Sequence, residues 1–65
     1  MTHIHPPVSI AALELAGQLT DEATSPRGIA YEVPLDHAQR KAAQRGIGAQ
    51  EIRAALAEVR RQRGA

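Results

Sequence analysis

The stretch RKAAQRGIGAQEIRAAL, residues 40–56, decides the fold that the sequence predicts. Gly46 lies between two segments that favour helix, and glycine commonly ends a helix because it adopts a left-handed backbone conformation without strain. After it, apolar residues recur at the spacing of one helix face: Ile52, Ala55, Leu56 and Val59. The stretch therefore predicts two helices, about 37–45 and 49–62, joined by a short turn.

A further helix is predicted upstream, from Ser9 to about Leu19 or as far as Ala23. Ser9 can cap it by accepting a hydrogen bond from a backbone N–H two or three residues further on. The helix is apolar nearly all round, and such a helix requires burial on several sides. In so short a chain we expect its apolar residues and the single aromatic residue to contact a second subunit or a larger partner: Ile10, Leu13, Leu15, Leu19 and Tyr31.

The segment between these helices changes pattern. Residues 25–28, Ser-Pro-Arg-Gly, are typical of a turn, since proline presets φ and glycine closes the turn. Over residues about 29–33 apolar and polar side chains alternate as in a half-buried strand, and Pro34 would end that strand or place it at an edge. A lone strand cannot satisfy its own hydrogen bonds, so it either pairs with a second copy or is merely extended. Asp36 with Gln39 fits a capping box for the next helix.

Length and composition limit the chain to one small domain. Its 65 residues include one Tyr and no Phe, Trp or Cys, so no disulfide or thiol chemistry is available. Chains this small usually need a staple or a partner for stability. We therefore expect a flexible arm over residues 1–7 and a mostly α-helical domain of three helices over residues 8–65, which is an oligomer or is stable only when bound.

Charge is divided between the two halves of the chain. Residues 1–36 hold five carboxylates and one arginine, whereas residues 37–65 hold seven Lys or Arg residues and two glutamates. The halves therefore carry net charges of −4 and +5. Such a division indicates a polyanionic partner, although attraction between the halves, within or between subunits, would explain it equally well.

Residues 38–57 resemble a helix-turn-helix of twenty residues. Ala42 falls where the two helices cross, Gly46 at the turn and Ile47 beneath it, while Arg45 departs from the motif at a position that is usually apolar. In this motif the second helix enters the major groove, where glutamine can read adenine and arginine guanine. The resemblance implies DNA binding by polar and basic side chains: Arg40, Lys41, Arg45, Gln50, Arg53, Arg60, Arg61 and Arg63.

Two alternatives use the same residues differently. The order of strand and two helices is similar to that of ribbon-helix-helix proteins, but Glu32 would then lie on the face of the ribbon opposite Tyr31. Alternatively the two C-terminal helices form a simple hairpin with a solvated basic face, and the apolar first helix docks on a larger protein without any contact to DNA. An antitoxin or an antagonist of a regulator would act in this way. This hypothesis predicts that Leu15→Asp abolishes partner capture while the chain stays folded.

The remaining patterns argue against other classes of function. His3, His5 and His37 are the candidate metal ligands, but the first two lie in the arm and no third ligand accompanies them, so solvated histidines are expected. No nucleophile–base pair, phosphate-binding loop or paired carboxylates occur, and we expect no enzyme, cofactor or small-molecule substrate. No signal peptide or membrane span is evident. The expectation is a cytoplasmic protein, and the abundance of Ala and Arg is typical of GC-rich bacteria.

Overall fold

The computed structural model describes residues 8–29 and 31–64. These residues form three helices: α1 spans Ile10–Glu22, α2 spans Leu35–Gln44 and α3 spans Ala49–Gly64. The prediction of a small, mostly α-helical domain with three helices is confirmed. The arm predicted over residues 1–7 lies outside the described residues.

The start of α1 is where the sequence predicts it. The hydroxyl of Ser9 accepts a hydrogen bond from the backbone N–H of Ala12 at 3.1 Å, which satisfies one of the free donors of the first turn. The helix ends at Glu22, and the backbone N–H of Ala23 donates to the carbonyl of Leu19 at 3.0 Å. The longer of the two predicted ends is therefore correct to within one residue.

α1 and α3 run side by side in the same direction. At one end, Ser9 donates hydrogen bonds to Glu51 in the first turn of α3. At the other, Arg63 in the last turn of α3 pairs with Asp21 in the last turn of α1. α2 packs chiefly against α3, so α3 is the helix that both others share.

The core is built largely from small side chains. Ten hydrophobic residues are buried: Ala12, Leu15, Ala16, Leu19, Ala38, Ala42, Ile47, Ile52, Ala55 and Val59. Half of them are alanines, and short side chains at a helix contact allow the helix axes to approach closely. Close approach lets a chain with few large apolar residues still exclude water from its centre. The predicted stripe of α3 is confirmed, with Leu56 half-buried at its edge.

The capping box predicted for α2 is wrong. The N-cap position is Pro34, which makes no side-chain capping hydrogen bond, and the helix begins at Leu35. Proline has a φ of −60° here, the value that its ring imposes, so the chain enters the helix two residues earlier than predicted. Asp36 therefore lies inside the first turn, where its negative charge interacts favourably with the helix dipole but cannot cap the helix.

The predicted half-buried strand is not formed by the described residues of 29–33. The backbone N–H of Tyr31 donates to the carbonyl of Ala23 at 2.8 Å, and the carbonyl of Ile29 accepts from Ser25 at 2.8 Å. These bonds tie the segment to the end of α1, around a turn in which Gly28 has a φ of +85°. Ile29 and Tyr31 are exposed. The alternation of apolar and polar residues therefore belongs to a segment that folds back on the end of α1 and not to a half-buried strand. The ribbon-helix-helix alternative finds no support here.

Candidate nucleic-acid interface

The turn between α2 and α3 is the element that positions the candidate site. The backbone N–H of Ile47 donates to the carbonyl of Ala42 at 2.8 Å, and that of Gly46 donates to Ala43 at 3.1 Å. This pair of bonds, with Gly46 at a φ of +74°, is the Schellman motif that ends helices at glycine. The apolar contact that accompanies the motif is supplied by Ile47 over Ala42, which are both buried. Gly46 thus ends α2 as predicted.

The helix-turn-helix pattern matches the burial of side chains at its anchor positions. Ala42, Ile47 and Ile52 are all buried, as is Ala55 in the second helix. Arg45 is exposed at the C-cap of α2, so the position that the motif usually keeps apolar is outside the core in this chain. The two helices consequently rest on an alanine-lined contact, and α3 keeps its opposite face towards solvent.

That opposite face of α3 carries polar and basic residues. Gln50, Arg53, Ala57 and Arg61 follow one another at intervals of three or four residues, with Arg60 alongside, and all are exposed. Residues at these intervals share one face of a helix. We call these five residues the outward face of α3. From Gln50 to Arg61 it extends about 16 Å, at 1.5 Å per residue, and the small side chain of Ala57 lies at its centre.

Three further cations precede this face in the sequence, two on α2 and one at its C-cap. Arg40, Lys41 and Arg45 are exposed, because the buried side of α2 is taken by Ala38 and Ala42. None of the three forms an ion pair with another described residue. Their charges are therefore available to an outside partner.

The two carboxylates of α3 are both engaged by neighbours. One Glu51 carboxylate oxygen accepts from the Ser9 hydroxyl at 2.5 Å and from the Ser9 backbone N–H at 3.0 Å. These bonds, the hydroxyl first, hold the pKa of the Glu51 carboxyl below its ordinary value of 4.5, because they stabilise the charged form. Glu58 accepts from Arg61 at 2.8 and 2.9 Å and from Gln62 at 3.2 Å. Neither carboxylate belongs to the outward face.

The basic residues predicted to bind DNA divide into two groups. Arg40, Lys41, Arg45, Arg53 and Arg60 make no ion pair within residues 8–29 and 31–64, whereas Arg61 pairs with Glu58 and Arg63 with Asp21. The guanidinium of Arg63 also lies over Gly17 of α1. Arg63 is therefore turned towards α1, and the structure brings the other predicted residues to α2, the turn and the outward face of α3.

The predicted protein-interface residues do not form one surface. Leu15 and Leu19 are only 2% and 3% exposed, so they are buried inside the chain itself and are not part of its surface. Leu13 is half-buried against the core. Ile10 and Tyr31 are exposed, at 75% and 61%, but they lie at opposite ends of α1, about 20 Å apart along a helix of this length. Leu15 and Leu19 therefore belong to the core that the three helices share, and the interface prediction for them finds no support in the surface of the described residues.

Sequence reasoning missed the hydrogen bonds between Ser9 and Glu51. A capping box normally places Glu or Gln three residues after the cap, but that position holds Ala12. Glu51, from a different helix, takes the place of the missing partner by accepting from the Ser9 backbone N–H. The unfilled position was a signal that the cap is completed elsewhere, although the sequence does not say by which residue.

Comparison with known proteins leaves the site to be interpreted from its own geometry. No protein-family model, curated protein or solved structure matches the chain.

Of the candidate metal ligands, His37 is exposed on α2, while His3 and His5 lie outside the described residues. Among the helices that the structure describes, none has both the length and the apolar character needed to cross a bilayer.

Proposed function

We propose that this chain is a small regulatory protein that binds DNA through the outward face of α3. Gln50 and Arg53, in the first half of the helix, would contact base edges. Arg40, Lys41, Arg45 and Arg60 would contact phosphates, which gives affinity without sequence information. The protein would act in the bacterial cytoplasm as a regulator of transcription, and an antitoxin is one form that such a regulator takes.

The observation that supports this proposal is the separation of charge on α3. Its outward face is exposed and basic, while its two carboxylates are held by Ser9 and by Arg61 with Gln62. A surface helix that served only solubility would gain from carboxylates mixed among its arginines. On α2, its C-cap and α3, five cations make no ion pair with any described residue: Arg40, Lys41, Arg45, Arg53 and Arg60.

Fluorescence anisotropy with a mixed-sequence DNA duplex, titrated across salt, tests the proposal. If the four cations placed on phosphates displace counterions, the logarithm of affinity should fall with the logarithm of salt concentration with a slope of about −4. A slope near −1 or no binding at low salt would contradict the proposal. If binding is found, selection from a random duplex pool would then identify the preferred sequence.

Self-association belongs to the same proposal. Helix-turn-helix proteins commonly bind two half-sites as dimers, and the chain exposes apolar side chains that a second copy could cover, among them Ile10 and Tyr31. Because Leu15 and Leu19 are buried in the core, a homodimer would have to use exposed residues such as Ile10 and Tyr31 and not the buried apolar face of α1. Analytical ultracentrifugation at micromolar concentration, with Tyr31→Asp as the variant, measures this step separately.

The second candidate function is a protein-binding adaptor that does not bind DNA. The observation that favours it is the exposure of Ile29 and Tyr31 in the segment between α1 and α2 and of Leu35 at the start of α2. Exposed apolar side chains close in sequence are a common feature of protein-interaction sites. An adaptor would lose partner capture with Tyr31→Asp and keep it with Arg53→Ala, whereas the DNA-binding protein would lose affinity for the duplex with Arg53→Ala.

A further inference from the structure

A cleft of about 380 Å³ opens between the last turns of α1 and α3 and the segment that follows α1. Its volume lies within the range of about 300–1,000 Å³ that is typical of small-molecule sites. One part of its wall is apolar and is formed by Tyr31, Val33 and Leu56. This part suits the hydrocarbon portion of a ligand.

The other part of the wall carries charge. Arg60 and Arg63 line the cleft together with Asp21, which gives the lining a net charge of +1. Arg63 donates to Asp21 at 2.5 Å, so part of its charge is already neutralised. Arg60 has no hydrogen bond or ion pair among the described residues. The cleft therefore contains one cation that a ligand could satisfy.

The threonines of the cleft indicate which kind of ligand fits. The hydroxyl of Thr20 donates to the carbonyl of Ala16 at 2.8 Å, and that of Thr24 donates to the carbonyl of Thr20 at 2.7 Å. Both hydroxyl protons are thus used on carbonyls of α1, and the side-chain donors left in the cleft belong to the arginines and to the phenol of Tyr31. A ligand must accept hydrogen bonds there, and a negative charge makes those bonds stronger.

We propose that this cleft binds a small amphipathic carboxylate, with its hydrocarbon part against Tyr31 and Leu56 and its carboxylate on Arg60. The ligand is an effector and not a substrate, since the cleft contains no group arranged to transform it. A second part of the proposal, competition with DNA, rests on the proposed function. Arg60 belongs both to the cleft and to the outward face of α3, so the carboxylate and a DNA phosphate compete for it. Binding of the ligand then weakens binding of DNA, and the reverse holds by linkage.

Tyrosine fluorescence tests the cleft without DNA. Tyr31 is the only aromatic residue of the chain, so the emission of the protein reports on the cleft wall directly. Hexanoate is the probe and hexanamide is its neutral match, both at constant ionic strength. We expect hexanoate to change the emission saturably and hexanamide to bind at least about tenfold more weakly, since a hydrogen bond to a charged group is lost.

Two variants sharpen the test. Arg60→Gln should weaken hexanoate about tenfold, whereas Arg61→Gln, which removes the neighbouring cation that pairs with Glu58 outside the cleft, should bind it as the parent does. Equal binding of hexanoate and hexanamide, no saturable change with either, or an unchanged affinity in Arg60→Gln would each overturn the proposal. Circular dichroism confirms that both variants are folded.

The competition with DNA is measured last. Hexanoate should lower the affinity of the parent for the duplex and leave that of Arg60→Gln unchanged. If the parent binds DNA and hexanoate has no effect on it, the competition is wrong. If the parent does not bind DNA at all, the proposed function fails, and the fluorescence titration still decides whether the cleft is a carboxylate site.

Discussion

α1 and α3 lie side by side in the same direction, but they differ in which side chains they bury and which they expose. The large side chains Leu15 and Leu19 of α1 are buried by its neighbours, although the sequence of α1 is apolar enough to indicate a second subunit. α3 buries Ile52 and Val59 and leaves an exposed face of Gln50, arginines and Ala57. The difference shows that an apolar helix can be buried within a chain of 65 residues when its neighbours are rich in alanine, and that α3 exposes a polar and basic face to solvent.

The largest effect should come from placing a charge on the buried side of α1. Leu15→Asp removes a buried leucine and introduces a carboxylate with no partner, which should cost more than about 4 kcal/mol. A loss of this size is comparable with the whole stability of a small domain. We therefore expect the variant to lose its helical circular dichroism signal, contrary to the expectation from sequence that it stays folded.

Gln18→Asp is the matched control for that variant. It introduces the same charge on the same helix at an exposed position, and it should change the free energy of unfolding by less than about 1 kcal/mol. If Leu15→Asp were as stable as Gln18→Asp in urea denaturation, Leu15 would not be in the core and the comparison of the two helices would be overturned.

The next largest effect concerns the outward face of α3. Arg53→Ala should weaken binding to the preferred DNA sequence by about 1–3 kcal/mol if Arg53 contacts a base. It should leave the thermal unfolding midpoint nearly unchanged, since Arg53 is exposed and forms no ion pair in the described residues.

Arg27→Ala provides the control of equal charge. Arg27 is exposed in the turn after α1 and is the only cation of the first 36 residues. If both variants weakened binding to the duplex equally, the affinity for DNA would depend on net charge alone and not on α3. If neither did, Arg53 would have no role in binding.

A smaller effect is expected from two glycines that receive the same methyl group. Gly46, before α3, has a φ of +74°, so Gly46→Ala should cost about 1–2 kcal/mol. Gly17 lies within α1, and an added Cβ would make only an ordinary contact of 3.7 Å with Arg63. Gly17→Ala should therefore stabilise the chain by about 0.5–1 kcal/mol, the usual gain in a helix interior. Opposite signs in thermal unfolding are the expected result, and equal signs would contradict the assigned role of Gly46.

The sequence predicted several elements that depend on local patterns and missed those that depend on packing, while two local patterns, the capping box at Asp36 and the alternation over residues 29–33, were misleading. The cap at Ser9, the glycine stop at Gly46 and the stripe of α3 are local features, and all three were predicted. The partner of Glu51 is 42 residues away, and nothing in a local pattern specifies it. The same limit applies to Leu15, because its burial depends on a core that residues of all three helices form together.

The exposed basic residues of the candidate site were likewise predictable from their spacing. The pair of Arg61 with Glu58 also follows from spacing, because residues three apart are neighbours on a helix surface. What the spacing could not reveal is that Arg63 already has an acidic partner. The pair of Arg63 with Asp21 joins the ends of two helices, and its existence depends on α1 and α3 running in the same direction. The direction of one helix relative to another is a property of the packed chain and has no signature in either segment.

The smallest effect should come from the bond between Ser9 and Glu51, which joins the two helices at their N-terminal ends. Since the pKa of Glu51 is lowered in the folded chain from its ordinary value of 4.5, its charged form stabilises the fold above that pH. This contribution should disappear as the pH falls through the lowered pKa. Glu51→Gln should therefore be less stable than the parent at neutral pH and should approach it in acid.

Thermal unfolding of the parent and Glu51→Gln from neutral pH to pH 3 measures this convergence. Ser9→Ala removes the hydroxyl from the same bond, and also the cap on Ala12, so it should be the less stable of the two variants at every pH. Combining both substitutions should cost less than the sum of the single changes, because the two residues share one interaction. A gap between parent and Glu51→Gln that stayed constant with pH would show that Glu51 does not join α1 to α3 through its charge, and that the two helices are held together by their alanine-rich core and the pair of Arg63 with Asp21.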